Sequence, residues 1–144
     1  MRFNVTFSAL FFLLIFSGTA HADTLKPFTS DGCSSFPDGT LEQKSLWLAC
    51  CQSHDLDYWQ GGTYQQRLTS DKALKQCVER VGEPEIGALM LAGVRVGGTP
   101  YFPTSFRWGY GWSYPRLYGP LSAEELEQVA QLKPVTTSEK LINK

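Results

Sequence analysis

Trp47-Leu48-Ala49-Cys50-Cys51-Gln52-Ser53-His54-Asp55-Leu56-Asp57-Tyr58 is the stretch whose reading decides the fold of this chain. Trp47, Cys50, Cys51, His54, Asp55 and Tyr58 recur at i, i+3, i+4, i+7, i+8 and i+11, the spacing of one helical face. Thr40 with Gln43 three residues later reads as a capping box, so the pattern predicts a helix from Leu41 to Trp59. Gly61-Gly62 breaks it. The face carries two residues, His54 and Asp55, that cost free energy in a core unless they are paired. Cys50 and His54 are four apart and share one side of the helix; Cys51 and Asp55 share another, about 100° round the axis. Each side therefore holds one cysteine and one chemical group.

Working outward, a second helix is expected from Tyr64 to Val81, with Leu68, Asp71, Leu74 and Val78 in one stripe and Gly82 past its end. The short loop between the two implies an antiparallel pair. Pro84 restarts a short apolar helix through Ala88 to Ala92, closed by Gly93, Gly97 and Gly98. From Tyr101 to Tyr118, eight of eighteen positions are aromatic and interleaved with Gly and Pro, which predicts an irregular packed segment. Ser122 with Glu125 forms another capping box and opens a small helix that stops before Pro134. On the amino-terminal side, residues 31–39 are dense in Gly, Pro, Ser and Asp and read as loop.

The chain has 144 residues, and the first 22 have the form of an export signal. Arg2 precedes the apolar run Ala9 to Phe16, too short to span a bilayer, and Ala20-His21-Ala22 supplies a small-x-small cleavage pattern. Residues 23–133 are then one domain, with a polar, flexible tail over 134–144. An exported chain is periplasmic or secreted and meets an oxidising compartment, so Cys33, Cys50, Cys51 and Cys77 are expected to form two disulfides. His21 leaves with the signal, and His54 is then alone, which excludes any site needing two histidines. A net charge of −1 over the whole chain, without a Lys/Arg run, argues against nucleic acid as a partner.

In an antiparallel pair, contacting positions have a nearly constant sum. A disulfide between Cys50 and Cys77 would set Asp71 within two positions of the one facing His54, approaching it from the flank. A carboxylate on one imidazole nitrogen fixes the tautomer and frees the other nitrogen as a general base. On the other side, a tie between Cys51 and Cys33 would bring Asp31-Gly32 against Asp55. Two carboxylates with loop carbonyls make an oxygen cage suited to a hard cation such as calcium, with Asp38 a rival ligand. A Cys/His zinc site at Cys50, Cys51 and His54 fits poorly, because adjacent cysteines are poor joint ligands and export favours bridges.

Cys50-Cys51-Gln52-Ser53-His54-Asp55-Leu56-Asp57-Tyr58 resembles the Cys-Cys-x-x-His-Asp-x-Cys-Tyr helix of secreted phospholipases A2. Asp71 to Cys77 resembles that family's second catalytic helix, and Asp31-Gly32-Cys33 with Pro37-Asp38 looks more like its bacterial and fungal branch. The resemblance implies His54 as base, Asp71 as its partner, Tyr58 as hydrogen-bonding support, and Asp31, Gly32 and Asp55 as the Ca²⁺ site. It also implies the bridges Cys33–Cys51 and Cys50–Cys77. Asp57 and Ser70 stand where the animal enzymes carry one further bridge, so both of its halves are absent together. The resemblance covers Asp31 to Val78, about a third of the chain.

The expected fold is mainly α: two disulfide-linked antiparallel helices, a calcium-binding loop and an irregular aromatic carboxy-terminal region. The expected reaction is Ca²⁺-dependent hydrolysis of the sn-2 ester of a glycerophospholipid by a monomer acting at a phospholipid membrane surface. The alternative is a catalytically silent relative that binds lipid or a protein partner in the envelope. Aromatic residues from Tyr101 to Tyr118, with Arg95, Arg107 and Arg116, suit either a lipid interface or a wrapped core. The interface reading expects Trp108→Ala and Trp112→Ala to weaken vesicle binding with the fold intact.

Overall fold

The structure, a computed structural model, describes residues 23–134; residues 1–22, read from the sequence as an export signal, and the expected tail beyond Pro134 lie outside the described residues. Four α-helices and no strand occur among the described residues: α1 (Leu48–Gln60), α2 (Tyr64–Arg80), α3 (Pro84–Gly97) and α4 (Ala123–Leu132). The chain is mainly helical, as its periodicity leads one to expect.

Helix α1 begins seven residues later than the Thr40 box implies. The Gln43 N–H does donate to Thr40 Oγ1 at 2.9 Å, but Thr40 N–H returns to the Gln43 carbonyl and the chain turns instead of winding on. The reason is packing. Leu41 is 91% exposed, so a helix through it would have no apolar face to bury. Order resumes at Trp47, a buried ring whose indole N–H donates to the Pro37 carbonyl at 2.6 Å. Helix α2 opens on a complete capping box, Thr63 with Gln66, and buries Arg67, Ser70, Asp71, Leu74 and Val78. Its stripe is therefore more polar than the sequence pattern suggests, with Arg67 inside and Leu68 only half-buried. Helix α3, started by Pro84, runs through Gly93 to Gly97 because packing on α2 holds it past the first glycine.

Two disulfides, Cys33–Cys51 and Cys50–Cys77, leave no free cysteine among the described residues. They close loops of 18 and 27 residues, each worth about 3 kcal/mol in the chain-entropy account. Such bridges point to an oxidising compartment. No helix among the described residues is long and apolar enough to cross a membrane.

Helix α1 serves two cores. One face joins Trp47, Cys50 and Cys51 to Leu74, Val78 and Met90; the other joins Trp59 to Leu25, Trp112 and Val129. Of the two readings of the aromatic segment, burial favours the wrapped core at its two tryptophans. Trp108 and Trp112 are fully buried, and their indole N–H groups donate to the Gly62 and Gln60 carbonyls at 2.8 and 2.7 Å. Carbonyls at the end of α1 need donors, and tryptophan brings a donor and a large apolar surface together. The arginines are engaged too: Arg107 is buried, Arg116 pairs with Glu125, and Arg95 pairs with Asp71. Tyr101, Phe102, Phe106 and Tyr114 are the rings of this segment left exposed. The segment is irregular, as expected, and α4 follows on the Ser122–Glu125 box.

Candidate active site

His54 and Asp71 meet directly rather than from the flank. His54 Nε2 lies 3.1 Å from Asp71 Oδ1, with both residues buried and Asp71 at 0% exposure. The carboxylate accepts from Nε2, an arrangement that leaves Nδ1 its lone pair when the ring is neutral. Nδ1 has no hydrogen-bond partner among the described residues. Tyr58 Oη donates to the same Asp71 oxygen at 2.7 Å. Burial, reinforced by the Asp71 charge, pushes the Tyr58 hydroxyl well up, so it stays a neutral donor.

The other Asp71 oxygen faces two arginines that the sequence pattern does not single out. Arg95 Nε lies 2.6 Å from Oδ2 and Arg67 Nε 3.9 Å from it. The Arg95 N–H is not aligned for a hydrogen bond, so this contact is an ion pair by proximity, and charge attraction depends on distance more than on N–H direction. Arg67 also donates to Tyr58 Oη at 3.0 Å and to the Val94 and Arg95 carbonyls, tying α3 to the cluster. One signal pointed to Arg67: it precedes Asp71 by four residues, one helical turn. Arg95 arrives on α3, and no spacing in the sequence relates it to Asp71.

On the neighbouring side of α1, Asp55 Oδ2 accepts from Ser30 Oγ at 2.6 Å. Its carboxyl is pushed up to about 6, chiefly by burial, with the Asp31 charge adding to it and the Ser30 hydrogen bond and His54 opposing. Asp31 itself is exposed and accepts from Ser34 Oγ at 2.9 Å. Gly32 is buried with φ +75°, the left-handed region, and a Cβ there would lie 2.5 Å from Asp38 Oδ1. That Asp38 oxygen accepts the Cys33 N–H at 2.9 Å, so the rival ligand is engaged within the loop.

Among the described residues, no group of three or more His, Cys, Asp or Glu is arranged to hold a metal. A cation at Asp55 would therefore depend on two carboxylates together with hydroxyl and backbone oxygens. Those donors suit a hard ion, since none is sulfur or imidazole. A carboxyl lifted to about 6 by burial is also one whose charged form a nearby cation would favour.

A cavity of about 470 Å³ opens on His54, Asp55 and Tyr58, with Phe36, Met90 and Val94 among its apolar walls. An imidazole held by a carboxylate, an oxygen-rich acidic pair and an apolar cavity can together activate water against a carbonyl whose substituents are hydrocarbon. Set against known protein families, curated proteins and solved structures, the chain matches none of them.

Proposed function

We propose that this protein is an exported, secreted phospholipase A2-like hydrolase that cleaves the sn-2 ester of glycerophospholipids with Ca²⁺, releasing fatty acid and lysophospholipid at a membrane surface. The observation that carries the reading is the His54 Nε2–Asp71 Oδ1 contact of 3.1 Å beside Asp55 on one cavity. Three pairs also support the antiparallel arrangement of α1 and α2: position 50 meets 77, 54 meets 71, and 58 meets 67. The disulfides agree with the pairing that the resemblance implies.

In this reading His54 Nδ1 removes a proton from water, and Asp71 holds the imidazole in the required tautomer and favours the imidazolium that forms. Tyr58 and Arg67 fix the Asp71 carboxylate in turn. Asp55, Asp31 and the Gly32 loop would hold calcium, whose chemistry when bound is to polarise the ester carbonyl. Phe36, Met90 and Val94 exclude water from the acyl chain.

Fatty-acid release from phosphatidylcholine vesicles, with calcium and with chelator, tests the proposal. Wild type is expected to be active only with calcium, and His54→Gln to lose about 10²–10⁴-fold, the usual worth of a general base. Activity that survives in His54→Gln, or wild type inert with calcium, rejects it; inert but vesicle-bound wild type is the outcome expected of a silent lipid-binding relative.

A further inference from the structure

A second cavity, of about 390 Å³, lies between the amino-terminal segment and the aromatic loop, away from His54. Lys26, Thr104, Ser105 and Arg107 line it, with Tyr110 and Tyr114. Arg107 is 5% exposed and forms no ion pair with a carboxylate among the described residues. Its Nη2 donates to the Trp112 carbonyl at 2.6 Å, and its guanidinium carbon stands 5.6 Å from the Tyr114 ring centre. Its Nε has no hydrogen-bond partner, and neither does the buried Oγ1 of Thr104, which lines the same cavity. The Asp23 carboxylate is near enough to favour the guanidinium charge, but its two oxygens already accept the Thr24 and Ser113 N–H groups.

A guanidinium keeps its charge even when burial works against it, and a buried charge left unpaired is costly. Here one such cation, a second from Lys26 and two hydroxyls line the same hollow, alongside apolar rings. We propose that this cavity is a binding site for a phosphate oxyanion, either free phosphate or a phosphomonoester headgroup, held by Arg107 and Lys26 with Thr104 and Ser105 as hydroxyl donors. A dianion answers two cations, and its several acceptor oxygens suit a planar guanidinium together with short hydroxyls. The site shares none of these four residues with the proposed ester-cleaving machinery and stands independently of it.

The test titrates inorganic phosphate into the full chain at constant ionic strength, followed by thermal melting and calorimetry. Saturable stabilisation is expected that chloride does not reproduce. Lys26 is exposed, so Lys26→Gln should fold normally and weaken phosphate by about tenfold, the scale of one charge-assisted hydrogen bond. Arg107→Lys, which keeps charge but loses the planar fork, should weaken it as well. In a second arm, binding to ether-linked phosphatidate vesicles over phosphatidylcholine vesicles, lost in Lys26→Gln, assigns the site to a lipid headgroup; response to free phosphate alone assigns it to a soluble ligand. No response in either arm, or equal affinity in wild type and Lys26→Gln, overturns the proposal.

Discussion

His54 and Asp55 are neighbours in the chain, yet the two sides of α1 treat them oppositely. The His54 side is closed: Asp71 is fully buried, and Tyr58, Arg67 and Arg95 surround its two oxygens. The Asp55 side is open: its carboxyl has one hydroxyl donor, an exposed Asp31 nearby, and a proton affinity raised by burial. The difference teaches that a positioning pair can be locked by charge in advance, whereas a cation site of the kind proposed at Asp55 would have to stay undersupplied until its ion arrives.

Asp71→Asn attacks the closed side hardest. It leaves Arg95 and Arg67 facing a neutral amide, and the expected loss is about 3 kcal/mol of unfolding free energy, read from urea denaturation. An unchanged midpoint would mean that the arginines do not depend on this carboxylate.

Gly98→Ala strains the same side without touching a charge. A Cβ at Gly98 would stand 2.5 Å from Tyr58 Oη, so the ring and its bond to Asp71 must shift. About 1–3 kcal/mol of destabilisation is expected, with a fall in vesicle hydrolysis. Gly93→Ala, where a Cβ meets nothing within 4 Å, is the control and should hold or raise the melting temperature.

The open side should declare itself through pH. With calcium chelated, Asp55 titrates at about 6 in the folded chain against 3.8 as its ordinary value. The folded state then binds the extra proton, so the Asp55 contribution is most favourable below 3.8 and is lost as pH rises through about 6. Asp55→Asn should flatten that part of the stability–pH curve. Calcium should stabilise wild type above pH 6 and progressively less below it. A curve identical in wild type and Asp55→Asn would remove the contrast between the two sides.

The smallest effect is expected at the exposed rings. Tyr101→Ser with Phe102→Ser should leave stability within about 0.5 kcal/mol while lowering partition onto vesicles. Unchanged partition would assign these rings no part in membrane contact.

Much of this was legible beforehand because it is local. The 3.6-residue period placed His54 and Asp55 on adjacent sides of α1, and the Ser122–Glu125 box gave the start of α4. The 50/77 and 54/71 register brought His54 to Asp71 once two helices were assumed to pair. What was not legible is non-local. Thr40 carries a cap without the apolar face that would make a helix worth forming. Arg95 reaches Asp71 only because α3 packs on α2. Trp108 and Trp112 could be read from composition as interface or core, and acceptors at the end of α1 decide for the core.

By itself, then, the sequence determined the helical period, the capping box that opens α4, and the identity of the groups on α1, because these depend on residues within a few turns of one another. The tertiary structure alone decided which charges meet. It set two arginines on Asp71, left Arg107 buried without an ion pair among the described residues, and lifted the Asp55 carboxyl, since burial and distance between charges exist only after the chain has closed around them.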